Sequence, residues 1–277
     1  MNAYLLVPSN AKHADQNWFF NYLCGMQNAI KKIQTELQGL YSDNEIRGFS
    51  NLILEKLTGF SRAEIIINKN TFFSIQQQGS VESFIEKLKV FFPIQYILGE
   101  TEFYGLKFEM NNSVLIPRPE TEELVDWICN EHHRGDKLDI LDIGTGSGCI
   151  AISLKHEFPH SEVDAFDISE KALETARRNA LNLHLDVQFS EFDILNAPET
   201  DKKWDIIASN PPYVLDSEKE QMLPNVLEHE PHLALFVPDN DPLVFYREIA
   251  GFAKKHLRPG GKLYFEINRE MGNACRE

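Results

Sequence analysis

From residue 137 to residue 267 short apolar runs alternate with stretches of helical spacing, and this alternation narrows the fold more than any other feature of the chain. Strands are expected over 138–143, 162–166, 187–192, 204–209 and 262–267, and helices over 147–157, 169–181 and 242–256. Strands separated by helix-length connections imply an α/β fold: a parallel sheet with helices on both faces. Ligands of such sheets bind beyond the carboxyl ends of the strands, near the switch in strand order.

The preceding residues change character twice. From about residue 17 to residue 92 apolar side chains recur at helical spacing, as in Ile46, Phe49, Ile53, Leu54 and Leu57, and again in Val81, Phe84, Ile85 and Leu88. A small helical domain is expected over 1–92. Over 93–119 the pattern becomes strand-like: 101–103 and 106–110 are split by Tyr104-Gly105, and Asn111-Asn112 turns into Val114-Leu115-Ile116. A β-hairpin linker is the natural reading. Pro117-Arg118-Pro119 ends it, and a helix with acidic residues in its first turn opens the third part, 120–277.

Charge is unevenly spread. Through residue 90 nine Lys/Arg stand against eight Asp/Glu; the remainder carries eighteen against thirty-four, and the net charge is −15. A groove that tracks nucleic-acid phosphates is expected to be basic, so no direct nucleic-acid partner is expected. Cys24, Cys129, Cys149 and Cys275 lack the spacing of a zinc site or a disulfide framework, and reduced, mostly buried thiols are expected. The nine histidines have no metal-ligand spacing, and no metal is expected. Nothing resembles a targeting segment or a membrane span, which points to the cytoplasm.

Three motifs fall at strand ends. Asp142-Ile143-Gly144-Thr145-Gly146-Ser147-Gly148 leaves the first strand, where glycines let the backbone approach a ligand and the next helix offers unpaired N–H groups. Cys149 breaks the Gly-x-Gly-x-x-Gly dinucleotide spacing. The Asp142 carboxylate disfavours a pyrophosphate but suits a ligand carrying an ammonium and a sulfonium. The loop therefore favours S-adenosylmethionine over a dinucleotide. Asp167, closing the second strand, can accept both hydroxyls of a ribose; a turn or cap carboxylate is the alternative. Asp193, after the third strand, is placed for an adenine amino group with Ile194 against the ring, or is a turn aspartate.

Asn210-Pro211-Pro212-Tyr213 follows the apolar run 204–209. Two prolines remove two backbone donors and restrict φ, leaving carbonyls as free acceptors. Asn210 adds a carboxamide, and Tyr213 a flat face for a planar group. Such a cluster suits a ligand that presents an NH₂ to an electrophile; the alternative is a rigid exit from the strand.

The Asp142 loop, Asp167-Ile-Ser-x-x-Ala-Leu with Ala176-Arg-Arg-Asn-Ala, and Ser209-Asn-Pro-Pro-Tyr together resemble the Rossmann-like class I methyltransferase core. More narrowly, the chain resembles the HemK/PrmC family of glutamine-N5 methyltransferases acting on peptide chain release factors. The narrower resemblance rests on Leu57-Thr-Gly-Phe-Ser-Arg62, Pro93-Ile-Gln-Tyr-Ile-Leu-Gly99, Glu102-Phe-Tyr-Gly105, Leu115-Ile-Pro-Arg-Pro-Glu-Thr-Glu122 and Glu230-Pro-His-Leu-Ala-Leu235.

The resemblance implies S-adenosylmethionine as methyl donor, S-adenosylhomocysteine as product, and a glutamine in a Gly-Gly-Gln loop as acceptor. It places Asp142, Gly144, Thr145, Gly146, Ser147, Gly148, Asp167, Asp193, Ile194 and Asn210 around the donor. It places Asn210, Pro211, Pro212 and Tyr213 at the acceptor, with Phe103, Arg118 and Glu120 shaping the pocket; Phe103 and Tyr104 would line the glutamine methylenes. Core packing of the hairpin, and an Arg118 pairing across a junction, are the structural alternatives. A solvated loop is expected for Glu228, His229 and Glu230. The helical domain would grip other parts of the factor, and a monomer is expected. The resemblance also implies a further helix and an antiparallel strand pair after residue 277. A nucleic-acid base N-methyltransferase and a noncatalytic S-adenosylmethionine-binding module are the competing readings.

Overall fold

The computed structural model describes residues 25–197 and 200–276. Cys24 and the expected helical residues before Gly25 lie outside them. The chain divides into two compact units, one ending at Ile94 and one starting at Gln95.

In the first unit, helices Asp43–Thr58, Arg62–Ile67 and Ile75–Lys89 each start with a capping box, formed by Ser42 with Glu45, Ser61 with Glu64, and Ser74 with Gln77. In each, the serine side chain takes a backbone N–H of the first turn, while the Glu or Gln reaches back to the cap N–H. Gly59, at φ 72°, ends the first of these helices, and its N–H bonds to Glu55 O. Their apolar stripes and that of helix Met26–Leu37 supply the core: Met26, Ile33, Leu37, Ile53, Leu54, Ile85 and Leu88 are fully buried. Phe49, Leu57 and Phe84, on the edges of the expected stripes, are half-buried.

The second unit opens with an antiparallel hairpin, β1 (Glu100–Phe103) and β2 (Leu106–Glu109), turning through Tyr104 and Gly105 at positive φ. The hairpin docks on helix Glu170–Asn182 through the buried Asn179. Its Oδ1 accepts the Glu109 N–H at 2.6 Å, and its Nδ2 donates to Glu109 O and Ser147 O. Residues 114–116 are not a strand, contrary to the apolar pattern. Val114 and Ile116 are buried, and the Tyr96 hydroxyl donates to Val114 O, so this segment is packed without a ladder partner.

Helix Pro119–Glu131 leads into a five-stranded parallel sheet of β3 (Asp139–Ile143), β4 (Glu162–Asp167), β5 (Gln188–Glu191), β6 (Trp204–Ser209) and β9 (Leu257–Phe265). The spatial order is β5-β4-β3-β6-β9. From β3 the chain runs outward to β5, then returns to the other side of β3, so the switch point lies between β3 and β6. A small parallel pair, β7 (Val214–Leu215) and β8 (Phe236–Val237), lies between β6 and helix Val244–His256.

Alternation along β3 shows how both faces are covered. Leu141 and Ile143 join Trp204, Ile207, Ile249, Phe252 and Ala253 in one cluster. Asp142 points to the other face, where it meets the N-terminal turn of helix Cys149–Glu157. The strands and helices expected over 137–267 recur within a few residues. The largest departure is β9, which starts at Leu257 rather than near 262. Leu257 pairs with Trp204, and a register shift then carries the Pro259-Gly260-Gly261 segment past Asp205. A Cβ at Gly261 would lie 3.0 Å from Asp205 O and from Arg258 O, so a side chain here would press on the backbone of the bulge.

Trp204 anchors the cluster. It is fully buried, edge-on to Phe166 and tilted against Phe252, and its indole N–H donates to Asp164 Oδ2 at 2.7 Å. Trp204→Ala leaves a large cavity and one fewer donor at a buried carboxylate. The expected loss is about 3–5 kcal/mol in urea unfolding, with an unchanged denaturant slope.

Candidate active site

The loop leaving β3 is shaped by its glycines, at φ 75°, 56° and 82° for Gly144, Gly146 and Gly148. They serve different ends. A Cβ at Gly146 would meet nothing within 4 Å, and one at Gly144 only Asn210 O at 4.0 Å, so these two line open space. A Cβ at Gly148 would lie 2.8 Å from Ile152 Cδ1 and 3.2 Å from Ala176 Cβ. Gly148 therefore permits close packing of two helices.

Asp142 holds the loop from beneath. It is fully buried, and Oδ2 accepts the Thr145 hydroxyl at 2.6 Å and the Ala151 N–H at 3.2 Å. Oδ1 is buried with no hydrogen-bond partner among the described residues. Burial, with Asp167 nearby as a smaller contribution, pushes the Asp142 carboxyl up to about 7. Thr145 and Ser147 are buried with it.

Asp167, at the end of β4, accepts the Gly146 N–H on Oδ2 and the Ser169 N–H on Oδ1, each at 2.8 Å. Burial pushes its carboxyl above the ordinary aspartate range, while these backbone bonds oppose the shift. Each oxygen retains acceptor capacity beyond the bond it makes. Asp193 caps the turn Ile194–Asn196: Oδ1 accepts the Leu195 N–H and Oδ2 the Asn196 carboxamide. Ile194 and Phe192 both pack against the buried cluster around Trp204, and the Phe192 ring stacks on Phe166 at a centroid distance of 4.5 Å.

Across the switch point, Ile143 pairs with Ser209, and the Ser209 hydroxyl donates to Ile143 O at 2.6 Å. This clamp brings Asn210 alongside the glycine loop. Asn210 Nδ2 donates to Thr121 Oγ1 at 3.2 Å, Thr121 Oγ1 donates to Glu266 Oε2 at 2.6 Å, and the Tyr213 hydroxyl donates to Glu266 Oε1 at 3.1 Å. Glu266 follows β9, and its N–H bonds to Ser209 O. Burial raises the Glu266 carboxyl above its ordinary range, against the effect of the Thr121, Tyr213 and Asn210 hydrogen bonds. Burial and the Glu266 charge push the Tyr213 phenol up to about 12, so it is neutral at pH 7. Pro211 is buried and Pro212 half-buried between these anchors.

Other expected site residues are placed differently. Phe103 is 1% exposed and edge-on to Phe108 within the hairpin core, so it offers no wall to a substrate. The Tyr104 N–H is held by Glu122 Oε1 at 2.7 Å. Glu230 is not part of a solvated loop. It is buried, with Oε1 2.7 Å from Arg118 Nη2 and Oε2 accepting the Ile116 N–H. The pair joins the segment before helix Pro119–Glu131 to the insertion between β6 and helix Val244–His256. Glu228 and Glu120 are exposed.

Thr121, Asn179 and Glu266 were assigned no role from the sequence. Thr121 lies in the Pro-Arg-Pro-Glu-Thr-Glu segment, 117–122, and Glu266 in the strand expected over 262–267. A carboxylate at the carboxyl end of a strand next to the switch point was the available signal for Glu266.

A parallel sheet with a glycine cradle on β3, facing Asn-Pro-Pro-Tyr on β6, is the architecture of a class I methyltransferase. Residues 121–233 match the methyltransferase small domain family model, and residues 28–99 match the PrmC N-terminal domain. The chain is 47% identical over 255 residues to the release factor glutamine methyltransferase of Flavobacterium psychrophilum, covering 90% of each chain. It is 49% identical over 241 residues to that of Bacteroides thetaiotaomicron, covering 87% of this chain and 86% of the other. The chain belongs to the family of release factor glutamine methyltransferases.

The raised Asp142 carboxyl gives a signed expectation. Between its unfolded value near 4 and its folded value of about 7, the folded state keeps a proton that the unfolded chain has released. Its contribution to stability therefore falls as pH rises through that window. Asp142→Asn cannot titrate, so the variant should gain stability relative to wild type from pH 4 to 7 and run parallel above it. Thermal midpoints of the two ligand-free proteins, measured across pH 4–8, check this; parallel curves throughout would refute it.

Proposed function

We propose that this chain transfers a methyl group from S-adenosylmethionine to the side-chain nitrogen of the glutamine in the Gly-Gly-Gln loop of peptide chain release factors. The observation that carries the reading is the juxtaposition of two motifs at the switch point: a Cβ on Gly144 would stand 4.0 Å from Asn210 O. One motif suits a sulfonium donor and the other a planar NH₂ acceptor.

The residues present fit the donor. Open space over Gly144 and Gly146 leaves room for a ligand against the backbone, and the orphaned Asp142 Oδ1 is a buried acceptor that suits an ammonium. Gly144, Thr145, Gly146, Ser147 and Gly148 would border the amino-acid end, Asp167 would take ribose hydroxyls, and Asp193 with Ile194 would meet the adenine. Bound there, S-adenosylmethionine supplies an electrophilic methyl group and leaves as S-adenosylhomocysteine.

The chain's own task is to present a poor nucleophile. A carboxamide nitrogen is unreactive because its lone pair is delocalised into the carbonyl. Asn210 Oδ1 and the Pro211 carbonyl each accept one N–H of the glutamine. Two fixed acceptors orient the nitrogen and face the positive charge that develops on it. Pro212 stiffens the loop, and Tyr213 packs on the amide plane. Proton loss can follow methyl transfer, so no histidine or carboxylate base is needed. Arg118, held by Glu230, and Glu120 border the acceptor side.

We assign the helical residues of 1–92 to gripping the factor, the hairpin region 93–119 to joining them to the catalytic domain 120–277, and the protein to the cytoplasm as a monomer. Among the described residues no helix is long and apolar enough to cross a membrane, and no cluster of His, Cys, Asp and Glu could hold a metal ion. The excess of acidic over basic residues after residue 90 favours a protein acceptor over nucleic acid.

Radiolabelled S-adenosylmethionine, incubated with the chain and either a release factor or nucleic acid, separates the readings. Label is expected in the factor alone. Label confined to nucleic acid overturns the proposal, and donor binding without transfer indicates a noncatalytic module. Asn210→Ala should lower transfer by about 10²–10³-fold while leaving donor affinity within a few-fold, measured by calorimetry; undiminished transfer contradicts the amide-holding role.

A further inference from the structure

We infer that Glu266, acting through Thr121, is a positioning residue that sets which way round the Asn210 carboxamide faces, while holding Tyr213 at the other end of the same tetrapeptide. The inference rests on the reading that Asn210 presents its oxygen to the substrate amide.

An asparagine side chain has two nearly isosteric orientations, and only one offers Oδ1 as an acceptor to a ligand. Rotation by 180° would present an NH₂ group to another NH₂ group. Something in the protein must distinguish the two ends, and the network around Asn210 does so by the direction of its hydrogen bonds. In its ionised form the Glu266 carboxylate can only accept. Thr121 has one hydroxyl proton, directed to Glu266 Oε2 at 2.6 Å. Having given its proton away, Thr121 Oγ1 can engage Asn210 only as an acceptor, and it does so from Nδ2 at 3.2 Å. Asn210 is itself among the hydrogen-bond partners that oppose the upward shift of the Glu266 carboxyl by favouring its ionised form, so the carboxamide end beside that carboxylate is again the donor end. Turning the carboxamide over would set Oδ1 against two acceptors with no proton between them, at the cost of an unsatisfied contact in a half-buried site.

Glu266 is well placed for this task because its own backbone is tied to the same strand end. Its N–H bonds to Ser209 O, one residue before Asn210, and the Tyr246 hydroxyl donates to its carbonyl. Its second oxygen takes the Tyr213 hydroxyl at 3.1 Å. One carboxylate thus holds both the first and the last side chain of Asn-Pro-Pro-Tyr. Thr121 comes from the first turn of helix Pro119–Glu131, so the orientation of Asn210 depends on a residue 89 positions away.

The test pairs an activity readout with one that needs no substrate. Thr121→Val is isosteric but lacks the hydroxyl, and Glu266→Gln introduces a donor where only acceptors stood. Each should lower kcat for release factor methylation by about 10²-fold with the KM for S-adenosylmethionine unchanged. Thr121→Ser, which restores the hydroxyl, should recover transfer to within a few-fold of wild type. The double variant Thr121→Val/Glu266→Gln should be little worse than either single one, because both break one chain of contacts. In the ¹⁵N-labelled protein without substrate, the Asn210 carboxamide signals, identified by their loss in Asn210→Asp, should move in Thr121→Val and Glu266→Gln and stay near their wild-type positions in Thr121→Ser.

Unchanged carboxamide signals overturn the inference, as do full rates in Thr121→Val or a loss in Thr121→Ser as large as in Thr121→Val. If Glu266→Gln fails to fold, Thr121→Val and its serine rescue carry the test. If the wild-type chain transfers nothing to a release factor but the carboxamide signals respond as stated, the substrate reading fails and the orientation role stands.

Discussion

The clamp between the carboxyl ends of β3 and β6 is the constraint on which the site depends. Parallel pairing sets Ile143 beside Ser209, and the serine hydroxyl closes on the Ile143 carbonyl at 2.6 Å. Because strand order reverses here, the helices that follow β3 and β6 cover opposite faces of the sheet, which leaves a crevice between the two connections. The glycine loop and Asn-Pro-Pro-Tyr are 62 residues apart between Ser147 and Ser209, but the pairing makes them the two walls of one crevice. A donor on one wall and an acceptor on the other then need little more than correct spacing, which suits a reaction whose main obstacle is geometry.

Buried and half-buried carboxylates do most of the holding around that crevice. Asp142 supports the glycine loop from below, Asp167 ties the loop to the end of β4, Glu266 joins β9 to both ends of the tetrapeptide, and Glu230 fastens the segment before helix Pro119–Glu131. Burial raises the first three, and hydrogen bonds to backbone and hydroxyl donors limit the rise. Glu230 is paired with a guanidinium instead. In its ionised form such a group only accepts, and so dictates the direction of every hydrogen bond it receives. That property gives a bond network a handedness that packing alone cannot supply.

Much of this was legible in the order of residues. Trp204–Ser209 stands as expected, and β3, β4 and helix Glu170–Asn182 depart by only a residue or so, because apolar runs and capping signals are local. The strand expected from 262 starts instead at Leu257, because the register shift beside Trp204 absorbs a proline and two glycines into the ladder. Residues 114–116 read as a strand on composition alone, yet their burial comes from loop packing. Phe103 looked suited to a pocket wall, but its partner Phe108 lies across the hairpin and closes it into a core.

The amino-acid sequence by itself determined the kind of sheet, the position of each motif at a strand end, and the chemical character of the two walls, since these follow from periodicity, glycine and proline stereochemistry and functional-group type. Tertiary structure alone decided which residues complete the site. Thr121 and Glu266 lie 145 positions apart and meet at 2.6 Å because a helix and the end of β9 converge on Asn210. Glu230, 112 positions from Arg118, is buried rather than solvated for the same reason. Local spacing carries no signal for contacts at such separations; they exist only once the strands have found their order.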